Sequence, residues 1–135
     1  MFVSSVRALV TGGAGFIGSH LAQALCEQGA EVIVLDNLSS GLRANLDWRQ
    51  PGHRLEFVEG DIRDGALVRR CVTGCDWVFH QAAIASVPYS VEHPAETNSQ
   101  NLSATLELLA AARDAGVRRF VFAVRKRVGE GKSVD

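Results

Sequence analysis

The chain is poor in the residues that most often announce a special chemistry. Its 135 residues include one tyrosine (Tyr89), one methionine, three prolines and two lysines (Lys126 and Lys132). Cysteine is equally scarce. Cys26, Cys71 and Cys75 are odd in number and lack metal-ligand spacing, which argues against a disulfide framework and for buried free thiols of a cytosolic protein. His20, His53, His80 and His93 are scattered and suggest neither a metal site nor a catalytic triad. Neither sign of charge dominates. A net charge of −1 speaks against a nucleic-acid surface or a polybasic membrane contact. Residues 8–26 carry no Asp, Glu, Lys or Arg, but their glycines, Thr11, Ser19, His20 and Gln23 make the segment too polar to span a membrane. The charged, apolar, small-residue order of a signal peptide is missing from the start of the chain. A soluble, cytoplasmic protein is expected, without repeats or low-complexity tracts.

What is present is an ordinary globular mixture, 47% hydrophobic and 21% charged, of a length that makes one domain with a real core. One stretch stands out, Val6 to His20, reading V-R-A-L-V-T-G-G-A-G-F-I-G-S-H. Ala8, Leu9 and Val10 have the content of a short buried strand. A turn follows with Gly12, Gly13 and Gly15, and a helix opens near Phe16 and Ile17. Gly12, Gly15 and Gly18 are spaced three apart. The first permits a tight turn, the second lets backbone approach a pyrophosphate, and the third lets helix pack on strand. The helix N-terminus then offers N–H groups and a partial positive charge to phosphates. The strand-then-helix context is what lends weight to a motif that is weak alone.

Strand and helix signals alternate along the rest of the chain. Phe16, Ile17, Leu21, Ala24 and Leu25 recur at helical spacing, with Gly29 as a C-cap. Glu31 to Asp36 reads as a fully buried strand. Residues 37–53 are irregular, with a short helix around Ala44 to Trp48. Leu55, Phe57 and Val58 suggest a third strand ending at Gly60-Asp61. Asp64 would N-cap a helix through Cys71, closed by Gly74. Trp77 to Phe79 form a fourth strand. A long helix is expected from about Ala95 to Ala115, with an apolar face of Leu102, Thr105, Leu106, Leu109 and Ala112, and then a fifth strand from Arg119 to Val124. The alternation predicts an α/β fold, a doubly wound parallel sheet of Rossmann-like order 3-2-1-4-5 with its crevice at the strand C-termini. Residues 1–124 form the expected domain. Residues 125–135, with six charges and two glycines, are expected to be a disordered or poorly anchored tail.

Several residues fall at strand ends, where such a crevice would open. Asp36 lies 18 residues after Gly18, where an acidic side chain accepts from adenosine ribose hydroxyls and repels a 2′-phosphate. That favours NAD over NADP; the plainer alternative is a strand-ending Asp that starts a turn. Asn37-Leu38-Ser39-Ser40-Gly41 offers short polar groups beside the ribose, and reads equally as a turn-rich loop. Asp61 could accept from an adenine amino group with Ile62 on the ring, or the pair could be a turn Asp and a core Ile. Small residues in His80-Gln81-Ala82-Ala83 would let the chain pass under a cofactor, while His80 itself reads as a structural histidine without an acid–base role.

Taken together, these residues resemble the N-terminal part of the NAD-dependent epimerase/dehydratase family, the extended short-chain dehydrogenases/reductases, and most of all its UDP-sugar 4-epimerases. The resemblance rests on T-G-G-A-G-F-I-G-S-H (11–20), L-D-N-L-S-S-G (35–41), G-D-I-R-D (60–64), H-Q-A-A (80–83), A-S-V-P-Y-S-V-E-H-P (85–94), N-L-S-A-T (101–105) and R-R-F-V-F-A (118–123). It covers residues 6–123 almost continuously. It implies Gly12, Gly15, Phe16, Ile17 and Gly18 at the pyrophosphate of NAD, and Asp36, Asn37, Ser39 and Ser40 at the ribose. Asp61 and Ile62 fall at the adenine, Gln81, Ala82 and Ala83 under the central dinucleotide, and Asn101 near the cofactor. Ser86 lies where the family's loop faces the nucleotide-sugar substrate. Ala104 replaces the glycine usual in N-V-x-G-T. The resemblance also leaves a homodimer open.

The pattern breaks off after Ala123. The family continues into serines and a Tyr-x-x-x-Lys helix, in which the tyrosine takes a proton from the sugar hydroxyl as hydride passes to the nicotinamide. A neighbouring lysine and the cofactor's charge depress the tyrosine pKa for that task. Here Val124-Arg125-Lys126 stand at the serine positions, and Tyr89 is followed at the fourth place by His93. No catalytic residue is therefore assigned, and the substrate domain is missing from the sequence. Three origins compete: a truncated or frameshifted product, a dedicated cofactor-binding module, or half of an enzyme completed by another chain. The expected function is the NAD-binding portion of a nucleotide-sugar epimerase or dehydratase, with a non-catalytic NAD(H)-binding or redox-sensing module as the alternative.

Overall fold

The computed structural model describes residues 3–39, 41–81 and 102–122. The expectations for Ser40, Ala82, Ala83, Ser86, Asn101 and the 125–135 tail fall outside these residues. Among the described residues, five strands carry the fold: β1 (Arg7–Thr11), β2 (Glu31–Asp36), β3 (Arg54–Glu59), β4 (Trp77–His80) and β5 (Arg119–Phe122). They form one sheet of order β3-β2-β1-β4-β5, every neighbouring pair parallel. The chain winds outward from β1 to β3, then returns to β4 and β5. Order reverses between β1 and β4, which places a crevice beyond their carboxyl ends.

Among the described residues, three α-helices cover the two faces: α1 (Phe16–Glu27), α2 (Gly65–Val72) and α3 (Ala104–Asp114). Alternation along the strands decides which side chain meets which layer. Ala8, Val10, Val32 and Val34 pack with Ala22, Leu25 and Cys26 of α1. Leu9, Ile33, Leu35 and Val78 point the other way, into Val68 and Val72 of α2 and Ala104, Leu108 and Ala112 of α3. Because β1 and β2 are covered on both sides, their inner residues, Ala8 to Val10 and Val32 to Leu35, are apolar without interruption. All three cysteines are free and buried; loss of hydration pushes the Cys26 and Cys75 thiols up to about 11.

Local signals account for the helix ends. Gly29 (φ 91°) and Gly116 (φ 77°) take the left-handed conformation just past α1 and α3, where their N–H groups return to Cys26 and Arg113 carbonyls. Asp64 caps α2 by accepting from the Leu67 N–H at 3.2 Å. The expected helix near Ala44 is a 3₁₀ turn over Arg43–Leu46.

One expectation fails on α3. Of the face anticipated there, only Ala112 is buried; Leu102, Leu106 and Leu109 are exposed, and the core side is Ala104, Leu108, Ala111 and Ala112. The leucines outweigh the alanines in any reading of apolar periodicity. Close packing against α2 and the sheet selects instead the side that carries Leu108 among three alanines. Of the anticipated 95–115 span, residues 95–101 lie outside the described chain.

Candidate functional site

Parallel pairing brings the strand ends to one rim. Thr11 is in register with Leu35 on one side and with His80 on the other, Asp36 with Glu59, and His80 with Phe122. The residues singled out above therefore stand side by side: the glycine turn after β1, Asp36 ending β2, Asp61 just past β3, and Gln81 just past β4.

The turn is built by its glycines. Gly12 adopts φ 68°, a conformation costly for a side chain, while its N–H donates to the Leu35 carbonyl at 2.8 Å. At Gly18, a Cβ would stand 2.3 Å from the Gly12 oxygen, so α1 sits directly on the turn. Gly15 differs. A Cβ there would meet only the Gly12 oxygen, at 3.2 Å, with open space beyond. Gly15 also opens α1, and no side chain caps that end. The amides of its first turn thus face outward with the positive end of the helix dipole. Phe16 (71% exposed) and Ile17 stand uncovered beside them.

Asp36 is buried, and its carboxylate ties two loops together. Oδ2 accepts the Ala14 N–H from the glycine turn at 2.9 Å, and Oδ1 accepts the Leu38 N–H at 2.8 Å. Each carboxylate oxygen has two acceptor sites, so both keep capacity for a hydroxyl donor. Asn37 closes an Asx turn by accepting the Ser39 N–H at 3.0 Å. Leu38, between them, holds φ 60°, a left-handed conformation unusual for a branched apolar residue. Nothing in the D-N-L-S run beyond its turn-forming Asn pointed to it.

Asp61 is engaged by a neighbour the sequence did not single out. Arg63 donates to its carboxylate through Nε and through Nη2 at 2.8 Å, holding the acid below its ordinary range, with a further contribution from Asn37. Ile62 departs from the ring-packing expectation: its side chain is buried in the core with Val68 and Leu108. Ile62 thus has its backbone to offer the rim, while the Asp61 carboxylate stays part-exposed there.

His80 is held inside the fold. It is buried, with Nδ1 2.7 Å from the Thr11 hydroxyl and Nε2 2.9 Å from that of Thr105, and it stacks on Phe122 at 5.2 Å. Burial lowers its pKa to about 4, which keeps the ring neutral. The next residue, Gln81, donates its N–H to Thr11 through both the carbonyl at 3.1 Å and Oγ1 at 2.9 Å, locking β4's exit to β1. Asn45 is a further residue that sequence reasoning missed. Its Nδ2 donates to the Ala14 carbonyl at 2.7 Å, and a polar residue in an irregular loop gave no sign of it. Among the described residues, no group of His, Cys, Asp or Glu could hold a metal ion, and no helix is long and apolar enough to cross a membrane.

Comparison with known proteins decides the family. The profile of the NAD dependent epimerase/dehydratase family matches residues 8–125. The chain belongs to that family. A UDP-glucose 4-epimerase of Streptomyces lividans is 46% identical over 121 residues, which are 87% of this chain and 35% of the relative. Among solved structures, an epimerase of Methanothermobacter thermautotrophicus superposes with a TM-score of 0.81 at 41% identity, covering 87% of this chain and 34% of its own. A UDP-glucose 4-epimerase of Stenotrophomonas maltophila, solved with NAD and a formylated UDP-arabinopyranose, gives 0.75 at 38% identity, covering 87% and 36%. The chain thus spans about a third of each of these epimerase/dehydratase relatives, and the shared part is the N-terminal, Rossmann-like sheet.

Proposed function

We propose that this chain is the NAD-binding portion of a nucleotide-sugar epimerase or dehydratase, of the UDP-sugar 4-epimerase type. The observation that carries this reading is the bond between Ala14 and Asp36, which fixes a ribose acceptor beside a phosphate-binding turn at the sheet's switch point. The site fits NAD on its own geometry. The open side of Gly15 and the uncapped end of α1, where the backbone amides of Phe16 and Ile17 start the helix, suit a pyrophosphate. Asp36, with Asn37, Ser39 and Ser40, would take the ribose, and its carboxylate would repel a 2′-phosphate. Asp61 and the Ile62 backbone would border the adenine; Gln81, Ala82 and Ala83 would pass beneath the dinucleotide, with Asn101 near it and Ser86 toward the sugar nucleotide. Bound there, NAD would supply reversible oxidation at C4 of the sugar.

Within these residues no Tyr-x-x-x-Lys supplies a base, so binding without turnover is the expected behaviour of the isolated chain. The alternative reading is a non-catalytic NAD(H)-binding module. Calorimetric titration with NAD and NADP, followed by assays on UDP-glucose and UDP-N-acetylglucosamine, tests both. NAD binding with NADP excluded is expected. A chain that binds neither dinucleotide overturns the cofactor assignment, and turnover by the 135 residues alone overturns the claim that a base is lacking.

A further inference from the structure

The glycine turn is held from outside as well as from the strand beneath it. The carbonyl of Ala14, at the middle of the turn, accepts two hydrogen bonds: from the Leu42 N–H at 3.0 Å and from Asn45 Nδ2 at 2.7 Å. Gly41 lets this second segment come close, since a Cβ there would stand 2.9 Å from the Ala14 carbonyl and from Asp36 Oδ2. Residues 41–45 therefore lie across the turn as a strap.

A planar peptide makes the strap consequential. The Ala14 oxygen and the Gly15 N–H belong to one rigid unit. The strap anchors one edge of it, and the Gly15 N–H donates to Gly12 at 3.0 Å from the other. With Gly13 before Ala14 and Gly15 after it, this peptide would otherwise sample many orientations. A peptide fixed at both edges sets the direction in which the chain enters α1, and with it where the first amides of that helix point. Ordering them before a ligand arrives removes that cost from binding.

We infer that Asn45 is a positioning residue for the dinucleotide, acting through the Ala14–Gly15 peptide without touching the ligand; this rests on the reading that a pyrophosphate lies at the turn. The test compares Asn45→Ala and Asn45→Leu, the second keeping bulk without the donor, in the full 135-residue chain. Both are expected to raise the Kd for NAD by about three- to tenfold, the worth of one hydrogen bond. Both should also speed amide exchange at residues 15–17 in the ligand-free protein while leaving β1 and β4 protected. Wild-type affinity with unchanged exchange in either variant overturns the proposal. So does unfolding of both, because Asn45 would then be holding the fold and not the turn. Should the unmodified chain bind no NAD, it is the cofactor reading that fails, and exchange at 15–17 alone decides the strap: faster in the variants supports it, unchanged sinks it.

Discussion

At the scale of single residues, the turn tolerates almost nothing where helix meets strand and much where the chain is open. A methyl group at Gly18 would press on the backbone oxygen of Gly12, which cannot retreat because Gly12 already holds a left-handed conformation. Gly18→Ala should therefore cost about 1–3 kcal/mol, the usual range for overpacking. Gly52→Ala, with nothing within 4 Å of the added carbon, should be neutral or slightly stabilising. Chemical denaturation of the two variants checks the contrast; a Gly18→Ala variant no less stable than Gly52→Ala would mean that the Gly12 oxygen does not confine position 18. Asp36 offers a second test. Asp36→Asn leaves one of the Ala14 and Leu38 amides facing an NH₂ group, at a cost of about 1–3 kcal/mol. It also removes the charge that would exclude a 2′-phosphate, so the ratio of NADP to NAD affinity should rise. An unchanged ratio would separate Asp36 from cofactor choice.

At the scale of elements, α3 shows what apolar periodicity can and cannot reveal. Leu106 and Leu108 are chemically identical and two positions apart, yet Leu106 is 58% exposed and Leu108 fully buried. Leu108→Ala should cost about 2–5 kcal/mol through lost contacts and a cavity. Leu106→Ala should stay within about 0.5 kcal/mol. Similar losses at both positions, read from unfolding midpoints, would restore the face expected from the leucines. Most of the fold was legible because its signals were local. Continuous apolar runs gave β1 and β2, a capping Asp64 gave the start of α2, and glycines marked the ends of α1 and α3. The α3 face was not, since its burial is set by partners distant in sequence, which take in Leu108 with three alanines and leave the other leucines outside. The same distinction runs through the site. Gly12, Gly18 and Asp36 announce themselves by spacing, whereas Asn45, Arg63 and Leu38 matter through contacts or a backbone angle that spacing cannot encode.

At the scale of the whole molecule, one buried side chain joins four elements. His80 ends β4, meets the Thr11 hydroxyl of β1 and the Thr105 hydroxyl of α3, and stacks on Phe122 of β5. Its folded-state pKa of about 4 lies below the ordinary 6.5, because a charged imidazole would lose its hydration in the core. Between those values the unfolded chain binds a proton that the folded chain refuses. Stability from this group is thus complete above about pH 6.5 and falls as the solution is acidified toward pH 4. About 2 kcal/mol should disappear between pH 7.5 and pH 5, at 1.36 kcal/mol for each unit of pKa separation. Asp61 acts in a different window. Its pKa is depressed below 3.8 by Arg63, so its contribution persists through this range and is lost only at lower pH. Denaturant titrations at intervals from pH 7.5 to 4.5 would trace the slope, and His80→Asn, which cannot titrate, should flatten it while lowering stability at neutral pH. A profile that keeps its slope in the variant would place the acid sensitivity in some other group, and with it remove His80 as the point where sheet and helix layers are proton-linked.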